Sequence, residues 1–211
     1  IPRDNENPTT INWTALSNSA IAGNAQVTAL AVSKTPANRL YFGGTDYQAN
    51  TYLVRVNNAQ NNPAGTNILP QGVPGGSYPS CIGVNPNNAD ELFVVFSNYA
   101  IPSLFYSSNG GTSWTNVEGN LAGDDAPSIR WASIVPTNSG KVYLLATSVG
   151  VYSTTTLNGA NTVWAHEGAT PIGEVVVDML ATRVSDGVVV AGTHGRGVYS
   201  AQLQGGGGGT A

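Results

Sequence analysis

Charge is what this sequence has least of. Only 9% of its 211 residues are charged, far below the quarter usual in soluble domains. The 8 basic side chains are scattered, with no Lys/Arg cluster. The electrostatic footprint of a nucleic-acid-binding surface is missing, so nucleic acid is not an expected partner. The single cysteine, Cys81, cannot form a disulfide within the chain. Standing in Ser80-Cys81-Ile82-Gly83-Val84, it reads as a small buried hydrophobe. No apolar run reaches membrane-spanning length, so no membrane span is expected. No His/Cys/Asp/Glu spacing resembles a metal site, and neither a nucleophile elbow nor a P-loop occurs. No cofactor, metal ligand or catalytic residue is therefore expected.

What replaces charge is Asn, Thr, Ser and Gly, with 26 glycines and 12 prolines. That mixture penalises helices and favours strands joined by tight turns. Hydrophobic residues make up 41%, enough for a real core and against disorder.

Four segments repeat. They are Ala31 to Gly44, Gly83 to Val95, Ile134 to Ala146 and Leu180 to Ala191. Each reads as a short apolar strand, a polar Pro/Asn/Gly turn and a second strand of β-branched and aromatic residues, which is a hairpin. The hairpins recur roughly every 45 to 50 residues, the spacing of a four-stranded propeller blade. Third strands match as well. Gly150-Val151-Tyr152-Ser153 mirrors Gly197-Val198-Tyr199-Ser200, with Leu104-Phe105-Tyr106-Ser107 and Tyr52-Leu53-Val54-Arg55-Val56 in the corresponding places. The expected fold is all-β, a β-propeller of four-stranded antiparallel blades, four of them in this chain. Residues 1–10 read as an irregular N-terminal segment, 11–203 as blades and 204–211 as a Gly-rich linker.

After the second unit's third strand comes Ser107-Ser108-Asn109-Gly110-Gly111-Thr112-Ser113-Trp114. This resembles the Asp-box, Ser-x-Asp-x-Gly-x-x-Trp, of BNR-repeat propellers such as sialidases, sortilin-type receptors and xyloglucanase-type glycoside hydrolases. Ser107, Gly111 and Trp114 match, and Asn109 stands where the family usually has Asp; Asn can still form the Asx-turn that shapes the hairpin. A degraded copy runs from Tyr152-Ser153 to Gly159 and Trp164. The ending Val190 to Tyr199 is similar to the last blade of many bacterial Asp-box propellers, in Bacteroidota-type surface proteins often followed by a type IX secretion signal. The resemblance implies a secreted or bacterial cell-surface protein whose partners include its own further domains.

The chain opens without Met or a signal-peptide pattern, which reads as a mature or excised segment. Asn12-Trp13-Thr14-Ala15-Leu16 aligns with Ser113-Trp114-Thr115-Asn116-Val117, so the N-terminal segment reads as an outer strand. It is expected to pair Ile11–Leu16 with Gly197–Ala201, hiding free edges. A closed four-bladed ring and the C-terminal part of a larger propeller both fit.

Candidate binding residues cluster in the loops that join blades and that join second to third strands. These hold Asp46-Tyr47, Asn98-Tyr99, Asp124-Asp125, Arg130-Trp131 and His194-Arg196. Tyr99, Asp124, Asp125, Arg130, Trp131, His194 and Arg196 are the binding candidates, because aromatic and Arg anchors dominate recognition. An exposed Arg130–Trp131 pair could stack on a sugar ring, whereas buried packing is the favoured reading of Trp131. His194 and Arg196 could face an anionic or sugar ligand, or simply close a Gly-rich turn, with Arg196 held by a carbonyl or carboxylate. Asp124-Asp125 could serve glycoside hydrolysis if a partner carboxylate stood across a cleft, and otherwise they form a solvated turn. Asp178, in an inner strand, needs partners or water. Trp13, Trp114 and Trp164 read as core. The expected function is non-catalytic binding, adhesion or assembly with a protein or glycan partner; the alternative is a fragment of a xyloglucanase-like glycoside hydrolase.

Overall fold

A computed structural model describes residues 25–203. Strands β1 (Gln26–Val32), β2 (Leu40–Thr45), β3 (Thr51–Asn58) and β4 (Asn62–Asn67) form the first antiparallel sheet. β5 (Pro79–Asn85), β6 (Asn88–Phe96), β7 (Leu104–Ser107) and β8 (Thr115–Asn116) form the second. β9 (Ile129–Thr137), β10 (Gly140–Thr147), β11 (Gly150–Thr154) and β12 (Ala165–Glu167) form the third. β13 (Val177–Arg183), β14 (Val188–Thr193) and β15 (Gly197–Gln202) form a fourth sheet of three strands among the described residues. The described residues form an all-β propeller of four blades. Helix is limited among the described residues to two single 3-10 turns, Gly119–Leu121 and Gly159–Asn161. The expected pairing of Ile11–Leu16 lies outside the described residues, as do segments 1–10 and 204–211.

The blades pack face to face, so a middle blade is buried on both sides. That is why β6 reads as the unbroken run Leu92-Phe93-Val94-Val95-Phe96 instead of alternating with polar residues. Leu92, Val94, Phe96 and Phe105 join Tyr41, Leu53 and Ile68 in the interface between blades one and two. Phe93, Val95 and Leu104 join Ile129, Leu145 and Trp164 between blades two and three. Leu144, Ala146 and Val151 meet Leu180, Val189 and Ala191 between blades three and four. Inner strands approach closely at Gly83, where a Cβ would stand 2.3 Å from the Ala132 carbonyl oxygen.

Strand pairing shifts the third-strand correspondence by one residue. Val54, Phe105, Tyr152 and Tyr199 are paired with Phe42, Val94, Leu145 and Ala191 respectively. Phe105, Tyr152 and Tyr199 all lie on the side of their own blade that meets the preceding one. The match of Tyr106 to Tyr152 and Tyr199 is a coincidence of composition, because ladder register and facing, not residue identity, define equivalent positions.

The series ends in exposed apolar residues. Leu30 and Val32 on β1 are 65% and 66% exposed, and Val198 on β15 is 72% exposed.

Candidate functional site

Each blade carries a β-bulge between its first two strands. The register slips between Val27 and Ala29, Pro79 and Cys81, Ile129 and Trp131, and Val177 and Met179. The extra residues are therefore Thr28, Ser80, Arg130 and Asp178. A bulge re-aims its side chain out of the ladder, and here the first three each reach the next blade. The Thr28 hydroxyl donates to the Pro79 carbonyl at 2.6 Å, and Ser80 donates to the Arg130 carbonyl at 3.0 Å. Arg130 Nη1 donates to Asp178 Oδ1 at 3.2 Å. The four form a polar collar where the inner strands begin, and Asp178 gains the partner that an inner-strand carboxylate needs. Sequence reasoning missed Thr28 and Ser80, because a bulge leaves no mark in the alternation.

The inner strands begin on the upper face, where the blade-to-blade crossings and the β2–β3, β6–β7, β10–β11 and β14–β15 loops meet. A belt of hydrogen bonds ties these loops together. Thr51 Oγ1 donates to Ser77 O at 3.0 Å, and Tyr78 N–H to Asn98 Oδ1 at 2.6 Å. Ser128 Oγ donates to Ser97 O at 2.8 Å, and Ser148 N–H to Ser128 O at 2.9 Å. On this fixed platform stand three exposed tyrosines: Tyr47 (82%), Tyr78 (47%) and Tyr99 (61%). Tyr78 was not singled out in the sequence, since it lies in a crossing with no repeat signal. Beside Tyr47, Asp46 organises its own loop. The Asn50 side-chain amide, the Asn50 and Gln48 backbone N–H groups and the Tyr52 hydroxyl hold its carboxyl down at about 2.

The other candidates lie on the same face but are not gathered into one constellation. Asp124 and Asp125 are exposed beside a shallow hollow that Tyr152 also lines. His194 is exposed, and Arg196 Nη1 donates to the Ile172 carbonyl at 3.1 Å. Trp131 is half-buried and wedged between two core clusters, while Arg130 is turned to Asp178. The two do not form an exposed stacking pair. Trp131 also lines an axial groove of about 420 Å³ that runs down to Lys34, Pro86 and Arg183 at the lower turns.

A tyrosine with an acidic partner exists elsewhere, between blades two and three. Glu91, 3% exposed, accepts from Asn85 Nδ2, Lys141 Nζ at 2.7 Å, Tyr106 at 2.8 Å and Tyr143 at 3.3 Å. Burial and then Glu91 both push the Tyr106 hydroxyl pKa upward. A phenol so placed is a poorer nucleophile than a free one, and Lys141 already neutralises its carboxylate. The network is an interblade lock. Among the described residues no group of three or more His, Cys, Asp or Glu side chains is placed to hold a metal ion.

The turn from Ser107 to Trp114 closes on Asn109. Its Oδ1 accepts from the Ser113 N–H at 2.9 Å, and its amide donates to Ser113 Oγ at 2.8 Å. Ser107 Oγ receives the Gly111 N–H at 2.9 Å. Thr154 takes the same place in blade three, its hydroxyl accepting from Thr156 N–H at 3.3 Å as Ser107 accepts from Asn109 N–H at 3.2 Å.

No family model matches the chain, and no curated protein matches it. Solved structures do. The GH74 enzyme of Niastella koreensis aligns over 85% of this chain with a TM-score of 0.60 and 17% identity. YCF48 from Cyanidioschyzon merolae aligns over 86% with a TM-score of 0.50 and 12% identity. At such identities the likeness concerns the fold. The chain spans 29% of the first protein and 57% of the second.

Proposed function

We propose that this chain is a non-catalytic binding module, built on repeats of the BNR/Asp-box kind, from a secreted or bacterial cell-surface protein. Its working face is the upper one, and its partner is a protein or a glycan. The observation that carries this reading is the set Tyr47, Tyr78 and Tyr99, exposed on loops that hydrogen bonds hold in place. Exposed aromatic rings on rigid supports bury large area at little entropic cost, as recognition surfaces require. The chain is otherwise poor in charge, so shape and stacking carry specificity more than steering does. The Asn109 turn supports the repeat assignment, since its side chain makes the Asx-type bond that an Asp would make.

A glycan array probed with the purified chain, together with capture from native cell-surface extract, tests the proposal. Binding that falls at least about 10-fold in Tyr78→Ala and Tyr99→Ala variants, each truncation costing more than about 1 kcal/mol, is the expected result. Binding unaffected by both changes would contradict it.

The likeness to a GH74 enzyme favours a second reading, a fragment of a xyloglucanase-like glycosidase. In that case Asp124 or Asp125 acts on a glycosidic bond with a second carboxylate. Release of sugar from xyloglucan by the purified chain, lost in Asp124→Ala or Asp125→Ala, would establish it in place of the first.

A further inference from the structure

Among the described residues, two of the three blade interfaces are sealed by an indole in the same way. Trp114, two residues before Asn116, donates its ring N–H to Ile68 O at 2.7 Å. Trp164, two residues before His166, donates to Val117 O at 2.8 Å. Asn116 and His166 are equivalent, because they pair with Phe105 and Tyr152. Ile68 and Val117 are equivalent too, as their N–H groups bond Leu53 O and Leu104 O. Each indole thus leaves the outer strand of one blade and caps the outer strand of the blade before it.

The next position in this series is Glu167, paired with Val151. Here, instead of an indole, the structure has an apolar cavity of about 260 Å³. Val151, Glu167 and Ile172 line it from blade three, and Val189, Tyr199 and Ala201 from blade four. A dry cavity of about 150 Å³ already holds benzene, so an indole fits. Beside the cavity, β15 is exposed along its length apart from Tyr199.

We propose that this cavity and the edge of β15 are the docking site of residues Ile11–Leu16 of this same chain, with the Trp13 indole in the cavity. Three observations select that occupant. Trp13-Thr14 repeats Trp114-Thr115. The equivalences set Thr14 opposite Ser200, Ala15 opposite Tyr199 and Leu16 opposite Val198, which covers the most exposed apolar side chain of β15. The chain length also fits. From Ile68 to Pro79, Val117 to Ile129 and Glu167 to Val177 the observed crossings take 10 to 12 residues. From Leu16, in the place of Ile68, to Val27, in the place of Pro79, there are 11. Seated this way, the N-terminal segment completes the fourth blade, and the Trp13 N–H reaches the Glu167 carbonyl.

Paired cysteines in the full chain test this. Directly opposed antiparallel residues are close enough to bridge, so Thr14→Cys with Ser200→Cys should oxidise readily to a disulfide within one chain. Thr14→Cys with Val198→Cys, two residues out of register, should oxidise at least about 10-fold more slowly. Cys81 is buried with its thiol pushed up to about 12, so it stays out of the reaction. Trp13→Ala should lower Tm by about 10 °C. Where that variant does not fold, Trp13→Phe, which keeps the ring and loses the N–H, should lower Tm by a few degrees. A Thr14–Ser200 disulfide that fails to form, that forms no faster than the control, or that forms only between two chains would overturn the proposal. So would a Trp13→Ala chain with unchanged Tm.

Discussion

The interface between blades two and three and the one between blades three and four are built from the same repeat, yet they differ in completeness. The first is filled: Trp164 is 2% exposed, and Glu91 binds both sheets through Lys141 and the Tyr106 and Tyr143 hydroxyls. Tyr143 packs edge to face on Phe93 and Tyr106, and those two rings are tilted on each other, with ring centroids 5.4 to 6.2 Å apart. The second relies on Val, Leu and Ala, has no aromatic among its fully buried residues, and retains the cavity beside Tyr199. Copies of one repeat therefore need not contribute equally to stability. What sets the contribution is how much aromatic surface and how many satisfied polar groups each copy places in the seam.

The largest effect expected from this contrast is at Trp164. Trp164→Ala removes a buried ring and leaves the Val117 carbonyl without its donor, so unfolding in urea should show a loss of about 4 kcal/mol. A loss below about 1 kcal/mol would mean that the seam is not held by its indole. Glu91→Ala comes next, at about 3 kcal/mol, because it leaves the buried Asn85 amide and the Tyr106 and Tyr143 hydroxyls without their acceptor and Lys141 without its counter-ion. Burial alone would raise the Glu91 pKa, but hydrogen bonds from Lys141, Asn85 and Tyr106 outweigh it and leave the pKa lowered. A lowered carboxylate contributes stability that is present above its unfolded pKa and is lost as pH falls through the folded value. The wild-type chain should therefore lose more stability than Glu91→Gln between pH 7 and the acid side of the ordinary glutamate range. Equal slopes in the two chains would remove Glu91 from the account. Matched truncations compare the seams directly. Val95→Ala should cost about 2.5 kcal/mol, and Val189→Ala, next to a cavity, about 1 kcal/mol; equal costs would erase the distinction. The smallest effect belongs to Asn109→Asp, which keeps the bond to the Ser113 N–H and reverses the one to Ser113 Oγ, whose hydroxyl then donates to the carboxylate. Its expected change is within about 0.5 kcal/mol.

Strand order and blade count were legible because the hairpin signals at Pro36, Pro86 and Gly187 recur with apolar runs of blade-like spacing. The Ser107–Trp114 turn was legible because its bonds are local. The third-strand register was not, since Leu-Phe-Tyr-Ser and Gly-Val-Tyr-Ser share a tyrosine and only cross-strand pairing shows which residue faces which blade. Of the candidate site, exposure at Tyr99, Asp124 and Asp125 and the carbonyl partner of Arg196 agree with readings available from residues alone. The Arg130–Asp178 pair joins residues 48 positions apart, and it depends on bulges in two strands. Arg130 and Trp131 part company because neighbouring strand residues point to opposite sides: the bulge sends Arg130 along the collar, and Trp131 packs half-buried between two clusters, in line with the packing reading.

Binding through the upper face, the role proposed for this propeller, is decided by measuring one captured glycan or protein partner against two sets of variants. Tyr78→Ala and Tyr99→Ala should each weaken that partner's affinity at least about 10-fold with Tm unchanged, while Asn38→Ala and Asn138→Ala on the lower turns leave affinity within about 2-fold. Affinity lost with the asparagines and kept without the tyrosines would place the working surface on the opposite face.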